Sequence, residues 1–176
     1  MESAQKTVFI SGGTSGIGLA AAEILLKRGW TVAVSGRSAE RGKAALDYLN
    51  AGSRAVYMSG DVGNDEDCRR MIGETVRQFG RLDGLVTSAG YYEECLLEYT
   101  DDEQVRKMFA VNVYGTISLC RYALPYLKKT CGSVVTVSSD AACRETWPAR
   151  FTARRRGRRG FFEIPGTGGG APSGAG

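Results

Sequence analysis

Four glycines stand close together near the start of the chain, at positions 12, 13, 16 and 18 of the stretch ISGGTSGIG, directly behind the apolar run Val8-Phe9-Ile10. A strand, a tight glycine turn and a helix start make an anion site. The helix N-terminus offers unpaired N–H groups and the positive end of its dipole. In such a site Gly12 permits the sharp turn. Gly16 lets the backbone approach a pyrophosphate with no Cβ in the way, and Gly18 lets the helix lie close to the strand. Thr14, Ser15 and Ile17 fill the rest of the loop. The plain alternative is an ordinary glycine turn; position in the first strand–helix unit favours dinucleotide binding. A second run, TVAVS at 31–35, leads into Gly36-Arg37-Ser38. An acidic residue after that strand would accept hydrogen bonds from a ribose 2′-hydroxyl. An arginine suits a 2′-phosphate, through bidentate charge-assisted bonds. The expected cofactor is therefore NADP(H) rather than NAD(H), with Arg37 and Ser38 near the adenosine ribose. A solvated arginine at a helix start is the alternative.

Composition narrows the chemistry. The 176 residues include no histidine, which removes histidine-based triads and most zinc sites. Five cysteines, at 68, 95, 120, 131 and 143, form no Cys-x-x-Cys pair and read as reduced thiols of a cytoplasmic protein. No apolar run of membrane-spanning length occurs, and the first residues lack the pattern of a signal peptide. The net charge of +4 is unevenly placed. Residues 1–143 hold 16 basic and 17 acidic residues, whereas residues 144–176 hold seven arginines and two glutamates. The run RRRGRRG at 154–160 can attract phosphates, but no aromatic stacking platform accompanies it, so nucleic acid is not an expected partner.

These residues need a scaffold. Strands are expected at 7–10, 31–35, 55–58, 82–87 and 133–137. Helices are expected at 16–28, from a Ser38 cap to 49, at 64–79, and over a long stretch from 101 to 129 that Pro125 bends. Short Val/Ile-rich strands alternating with helices predict an α/β fold, a doubly wound parallel sheet of Rossmann type, incomplete on its C-terminal side. Residues 1–143 are read as the nucleotide-binding domain. Residues 144–176 are read as an irregular Arg/Gly-rich tail, the composition that a shifted reading frame of GC-rich codons produces.

With the elements placed, five motifs in order make the chain resemble the short-chain dehydrogenase/reductase family over about residues 5–140. They are Gly12-x-x-x-Gly16-x-Gly18; Asp61-Val62 after the third strand; Ser88-Ala89-Gly90 after the fourth; Asn112 in VNVYG; and Ser138-Ser139 after the fifth. The resemblance implies that Asp61 and Val62 contact adenine. Ser88 stands where the family has asparagine, a departure that weakens support of the central strand. By the same likeness Asn112 and Ser139 are catalytic residues, and the loop YYEECLLEY after Gly90 lines the substrate entrance with Tyr91, Tyr92 and Leu96. Plainer roles exist for each: Asp61 as a turn cap, Asn112 as a partner for a backbone group, Ser139 as a strand-end serine.

The resemblance further implies hydride transfer between a nicotinamide and a carbonyl or secondary-alcohol carbon, in a small-molecule substrate. A Tyr-x-x-x-Lys pair some 12–14 residues after the serine would complete the site. In that window stand Phe151, Thr152, Arg155 and Arg156, and no tyrosine follows Tyr126 and no lysine follows Lys129. Phenylalanine has no proton to give, and arginine stays charged. The chain as written is therefore expected to bind cofactor with little or no turnover. The missing elements would leave the fifth strand an unpaired edge and one face of the long helix exposed. A homo-oligomer through that helix is possible by the same resemblance.

Overall fold

Parallel strands buried on both faces carry continuous apolar runs, and the first two strands here do so. The computed structural model describes residues 5–93, 97–139 and 162–163. Strand β1 (Thr7–Ser11) and strand β2 (Thr31–Gly36) are buried almost throughout. Between them lies helix α1 (Gly16–Lys27). Helix α2 (Ala39–Leu49) and strand β3 (Ala55–Ser59) follow. Helix α3 (Asp65–Phe79) then leads to strand β4 (Gly84–Thr87). The order β3-β2-β1-β4-β5, all parallel, closes with strand β5 (Ser133–Thr136). Helices cover both faces. Ala22 and Leu26 of α1 lie with Val8, Ile10, Val32 and Val34 on one face. Cys68, Met71 and Ile72 of α3 lie with Phe9, Ala33 and Leu85 on the other. This is the expected doubly wound α/β sheet.

The long helix departs from expectation. Helix α4 (Asp102–Phe109) begins with a capping box, in which Asp101 accepts from the Gln104 N–H and Gln104 accepts from the Asp101 N–H. A π-helical turn over Ala110–Tyr114 separates it from helix α5 (Gly115–Thr130). Helix α5 continues past Pro125 to Thr130, so the change of helical type lies upstream of the proline rather than at it. Packing explains the position. A Cβ at Gly115 would lie 2.5 Å from the Val62 carbonyl oxygen, so the helix meets the β3–α3 loop at the end of the π turn. Such turns absorb one extra residue and occur often at functional sites.

The C-terminal side shows the expected exposure. Leu119, Ala123 and Leu127 of α5 are core residues, while Tyr114, Ile117 and Leu124 on other faces are exposed. Strand β5 is mostly exposed, unlike β1 and β2. One expectation needs correction. Strand β5 is not an unpaired edge, because a two-residue strand, β6 (Phe162–Glu163), pairs antiparallel with it at Ser133 and Val134. The open N–H and C=O groups of an edge accept such a partner readily. The other residues of 144–176 lie outside the described residues.

Candidate functional site

Strand order reverses on either side of β1, and at such a switch point the loops at the carboxyl ends part to leave a crevice. A cleft of about 710 Å³ opens there, lined by the loops after β1, β2, β3 and β4, with Val111 and Val137. The glycine loop forms one wall. Gly12 has φ +67°, and a Cβ there would lie 2.7 Å from the Ala89 backbone, so only glycine fits between the two loops. Gly16, at φ +53°, would carry a Cβ that meets nothing within 4 Å. At Gly18 a Cβ would sit 2.5 Å from the Gly12 carbonyl oxygen. Gly18 therefore lets the start of α1 lie directly against the backbone that leaves β1.

The N-terminus of α1 differs from the other helix ends in lacking a side-chain cap. Helices α2, α3 and α4 are each capped by a side chain, from Ser38, Asn64 and Asp101, and each carries an acidic residue in its first turn. Ser15 stands at the cap position of α1 without a side-chain cap bond, and no acid occupies the first turn. The amide groups and dipole of that helix end face the cleft uncompensated. Behind the loop after β2 lies a further open group: the Ser35 hydroxyl is buried, lines the cleft wall, and has no hydrogen-bond partner among the described residues.

The remaining walls are pinned by backbone bonds. Asp61 Oδ1 accepts from the Gly63 N–H at 2.8 Å, and the Asp61 N–H donates to Asp67 Oδ2 at 2.9 Å. Asp61 thus shapes its own turn while lining the cleft. The Asp67 carboxyl is held below the usual range, mainly by the Asp61 N–H and then by Arg70. Across the cleft, the Ser88 N–H donates to the Ser11 carbonyl and the Ala89 N–H donates to Ser11 Oγ, each at 3.2 Å. Support for this loop therefore comes from the end of β1. Asn112, in the π turn, accepts from the Tyr91 N–H at 2.8 Å and donates to the Tyr91 carbonyl at 2.7 Å. It fastens the loop after Gly90.

The structure gathers most of the expected residues. Gly12, Thr14, Ser15, Gly16, Ile17, Arg37, Ser38, Asp61, Val62, Ser88, Ala89 and Gly90 all line the cleft; Gly18 lies behind it. Asn112 and Ser139 are not in the lining, and Ser139 is exposed two residues beyond Val137. Of the expected entrance residues, Tyr91 lines the cleft, Tyr92 is exposed outside it, and Leu96 lies outside the described residues. The window expected to hold Tyr-x-x-x-Lys lies there too. Sequence reasoning missed Ser35, Gly36, Arg41, Gly60, Val111 and Val137. Position at a strand end would have flagged four of these, and one helical turn beyond Arg37 would have flagged Arg41.

An open glycine-lined helix end at the switch point of a doubly wound sheet defines a nucleotide-binding α/β protein. The family model for short chain dehydrogenase matches residues 6–153, and the chain belongs to that family. Family members are oxidoreductases that use a nicotinamide cofactor. Relatives include an uncharacterized oxidoreductase of Thermotoga maritima, 41% identical over 138 residues, which are 77% of this chain and 54% of that protein. An 11-beta-hydroxysteroid dehydrogenase-like protein of Arabidopsis thaliana is 34% identical over 79% of this chain and 46% of its own length. Among solved structures, a short-chain dehydrogenase/reductase of Serratia marcescens has TM-score 0.76 and 27% identity over 82% of this chain and 60% of that one. The chain spans about half the length of the curated relatives it matches. Among the described residues no helix is long and apolar enough to cross a membrane.

Proposed function

We propose that the cleft binds NADP(H), and that the chain serves hydride transfer between the nicotinamide and a carbonyl or secondary-alcohol carbon of a small molecule. The observation that carries this reading is Arg37. It lines the cleft directly after β2, where the adenosine ribose of a bound dinucleotide would lie, and its chain neighbours there, Gly36 and Ser38, carry no charge. The amides of α1 and the glycine loop would hold the pyrophosphate, with Asp61 and Val62 at the adenine and Ser88, Ala89 and Gly90 along the cofactor. When bound, the nicotinamide supplies the hydride. The chain's own residues orient the dinucleotide and exclude water from one wall of the cleft. Asn112 and Ser139 are assigned to the reacting end.

A second reading is favoured by one feature of the sequence. No tyrosine follows Tyr126 and no lysine follows Lys129, so the acid–base pair of the family is not found in its window. On that reading the chain holds cofactor without turnover, since general acid–base work contributes about 10²–10⁴ in rate. Fluorescence titration with NADPH and NADH, followed by NADPH oxidation against a panel of ketones, tests both. Tight NADPH binding with turnover supports the enzyme. Binding with none supports the silent binder, and equal affinity for the two cofactors rejects the choice of NADP(H).

A further inference from the structure

We propose that Asp67 and Arg70 are positioning residues of the cleft. From the start of α3 they hold the Ser59-Gly60-Asp61 backbone, at the end of β3, in the posture that meets the adenine of a bound dinucleotide. The proposal rests on the reading of the cleft as a dinucleotide site and adds to it two residues that lie outside the lining.

Ion pairs such as Lys27–Glu23, Lys43–Asp47 and Arg69–Glu66 stay within one helix. Arg70 begins in the same way, pairing with Asp67 at 2.7 Å and with Glu74 at 3.3 Å. Its Nη2 then leaves the helix and donates to the Ser59 carbonyl at 2.6 Å. Asp67 reaches out too. Its Oδ1 accepts from Arg70 Nη2, and its Oδ2 accepts from the Asp61 N–H at 2.9 Å. Neither contact caps the helix. That task belongs to Asn64, whose side chain accepts from the Asp67 N–H at 3.1 Å.

The held segment is one whose backbone is free to turn. Gly60 stands in the cleft wall between the two anchored residues, and glycine loses more freedom on ordering than any other residue. The Ser59–Gly60 peptide is fixed at its carbonyl by Arg70 and at its N–H by the Gly36 carbonyl, the latter at 3.0 Å. The next peptide is fixed by Asp67 at the Asp61 N–H, and the Asp61 carbonyl accepts from the Asn64 N–H at 3.0 Å. A Cβ at Gly60 would lie 2.8 Å from Met71 Sδ and 3.2 Å from Arg70 Nη2, so this stretch rests directly on α3. Asp61 Oδ1 is engaged by the Gly63 N–H at 2.8 Å, and the carboxylate can still accept from the amino group of adenine at its other oxygen. The backbone that Asp67 and Arg70 fix decides where that oxygen stands. Both side chains are partly exposed, so their contribution is order before binding rather than a large share of stability.

The test is calorimetric titration of the full 176-residue chain with NADPH and with its hypoxanthine analogue, which carries a carbonyl in place of the adenine amino group. Asp67→Ala, Arg70→Met and Arg70→Lys are compared with the parent, with circular dichroism confirming that each is folded. The parent should prefer NADPH to the analogue. Asp67→Ala and Arg70→Met should each bind NADPH about fivefold more weakly, the cost of ordering a freed segment, while affinity for the analogue stays within about twofold. Arg70→Lys keeps a donor and should recover part of the loss. A preference for NADPH over the analogue that survives Asp67→Ala and Arg70→Met overturns the proposal and leaves the cofactor reading standing. Equal weakening of both ligands also overturns it, as a general structural role. A parent that binds the two ligands equally overturns it as well, because Asp61 then reads no amino group. A parent that binds neither overturns the dinucleotide reading, and the proposal with it.

Discussion

Gly18 and Cys68 show how a single position binds local chemistry to the fold. At Gly18 an added methyl group would meet the Gly12 carbonyl oxygen, which is backbone and cannot swing aside. Gly18→Ala is expected to cost about 1–3 kcal/mol of stability through overpacking and to displace the glycine loop. Urea denaturation and NADPH titration would show both losses together. Cys68 is fully buried, and its thiol donates to the Val62 carbonyl at 3.2 Å. Burial, reinforced by Asp65, Asp67 and Asp61, pushes the thiol up to about 12. A group whose pKa is raised on folding contributes stability that is full below its unfolded value. That stability is lost as pH rises, because only the unfolded thiol then ionises. Stability should therefore fall between about pH 9 and 12 by more than in Cys68→Ala. In the native chain iodoacetamide should label exposed Cys131 and spare Cys68, as peptide mass mapping would show.

At the scale of elements, helix ends divide into closed and open. Helices α2, α3 and α4 close theirs with Ser38, Asn64 and Asp101, and these caps serve stability. Asp101→Ala removes half of a capping box and should cost about 1 kcal/mol by urea denaturation, with NADPH affinity unchanged. Helix α1 leaves its end open, and that end faces the cleft. Helices α3 and α5 are joined on the surface by the Asp65 carboxylate, which accepts from Ser118, Tyr122 and Arg121. Those hydrogen bonds, Ser118 first, lower its pKa. The contribution is therefore present above the usual carboxylate range and fades as pH falls through the lowered value. Element types were legible from period and punctuation. Val8-Phe9-Ile10 and TVAVS mark strands, and Gly29 and Gly80 mark helix stops. The π turn was not legible. VNVYG has an unbroken helical pattern; beside the π turn Asn112 bonds the Tyr91 backbone, and Gly115 leaves room for the Val62 carbonyl.

At the scale of the molecule, the amino and carboxyl edges of the sheet do different work. At the amino edge Asp83 is buried, accepts from the Thr7 N–H at 2.8 Å, and is gripped by Arg81 Nε and Nη2. It locks β4 to β1 far from the cleft. Asp83→Ala should lower stability by about 1.5–3 kcal/mol, the range for hydrogen bonds to a charged group. Thermal unfolding would register the loss, while NADPH affinity in the folded state stays within about twofold. The carboxyl edge is left polar. Ser11, Ser35, Thr87 and Thr136 stand in register across four neighbouring strands. An apolar layer thus gives way to hydroxyls where the loops must part.

The amino-acid sequence alone determined the class of fold, the order of the elements and the position of the glycine loop at the open end of the first helix. Those follow from local physics: apolar period, glycine punctuation, and the need of a helix end for partners. It also placed Arg37, Asp61 and Ser88 at strand ends, and so on one edge of a parallel sheet. Tertiary structure decided what depends on distant neighbours. Gly18 is required because the Gly12 carbonyl folds back onto the start of α1. Asn112 turns to the Tyr91 backbone because the π turn brings it there. Arg41 joins the cleft because Tyr57, from another strand, fixes the first turn of α2 against it. Contacts of this kind are set by packing between segments, and no local pattern encodes them.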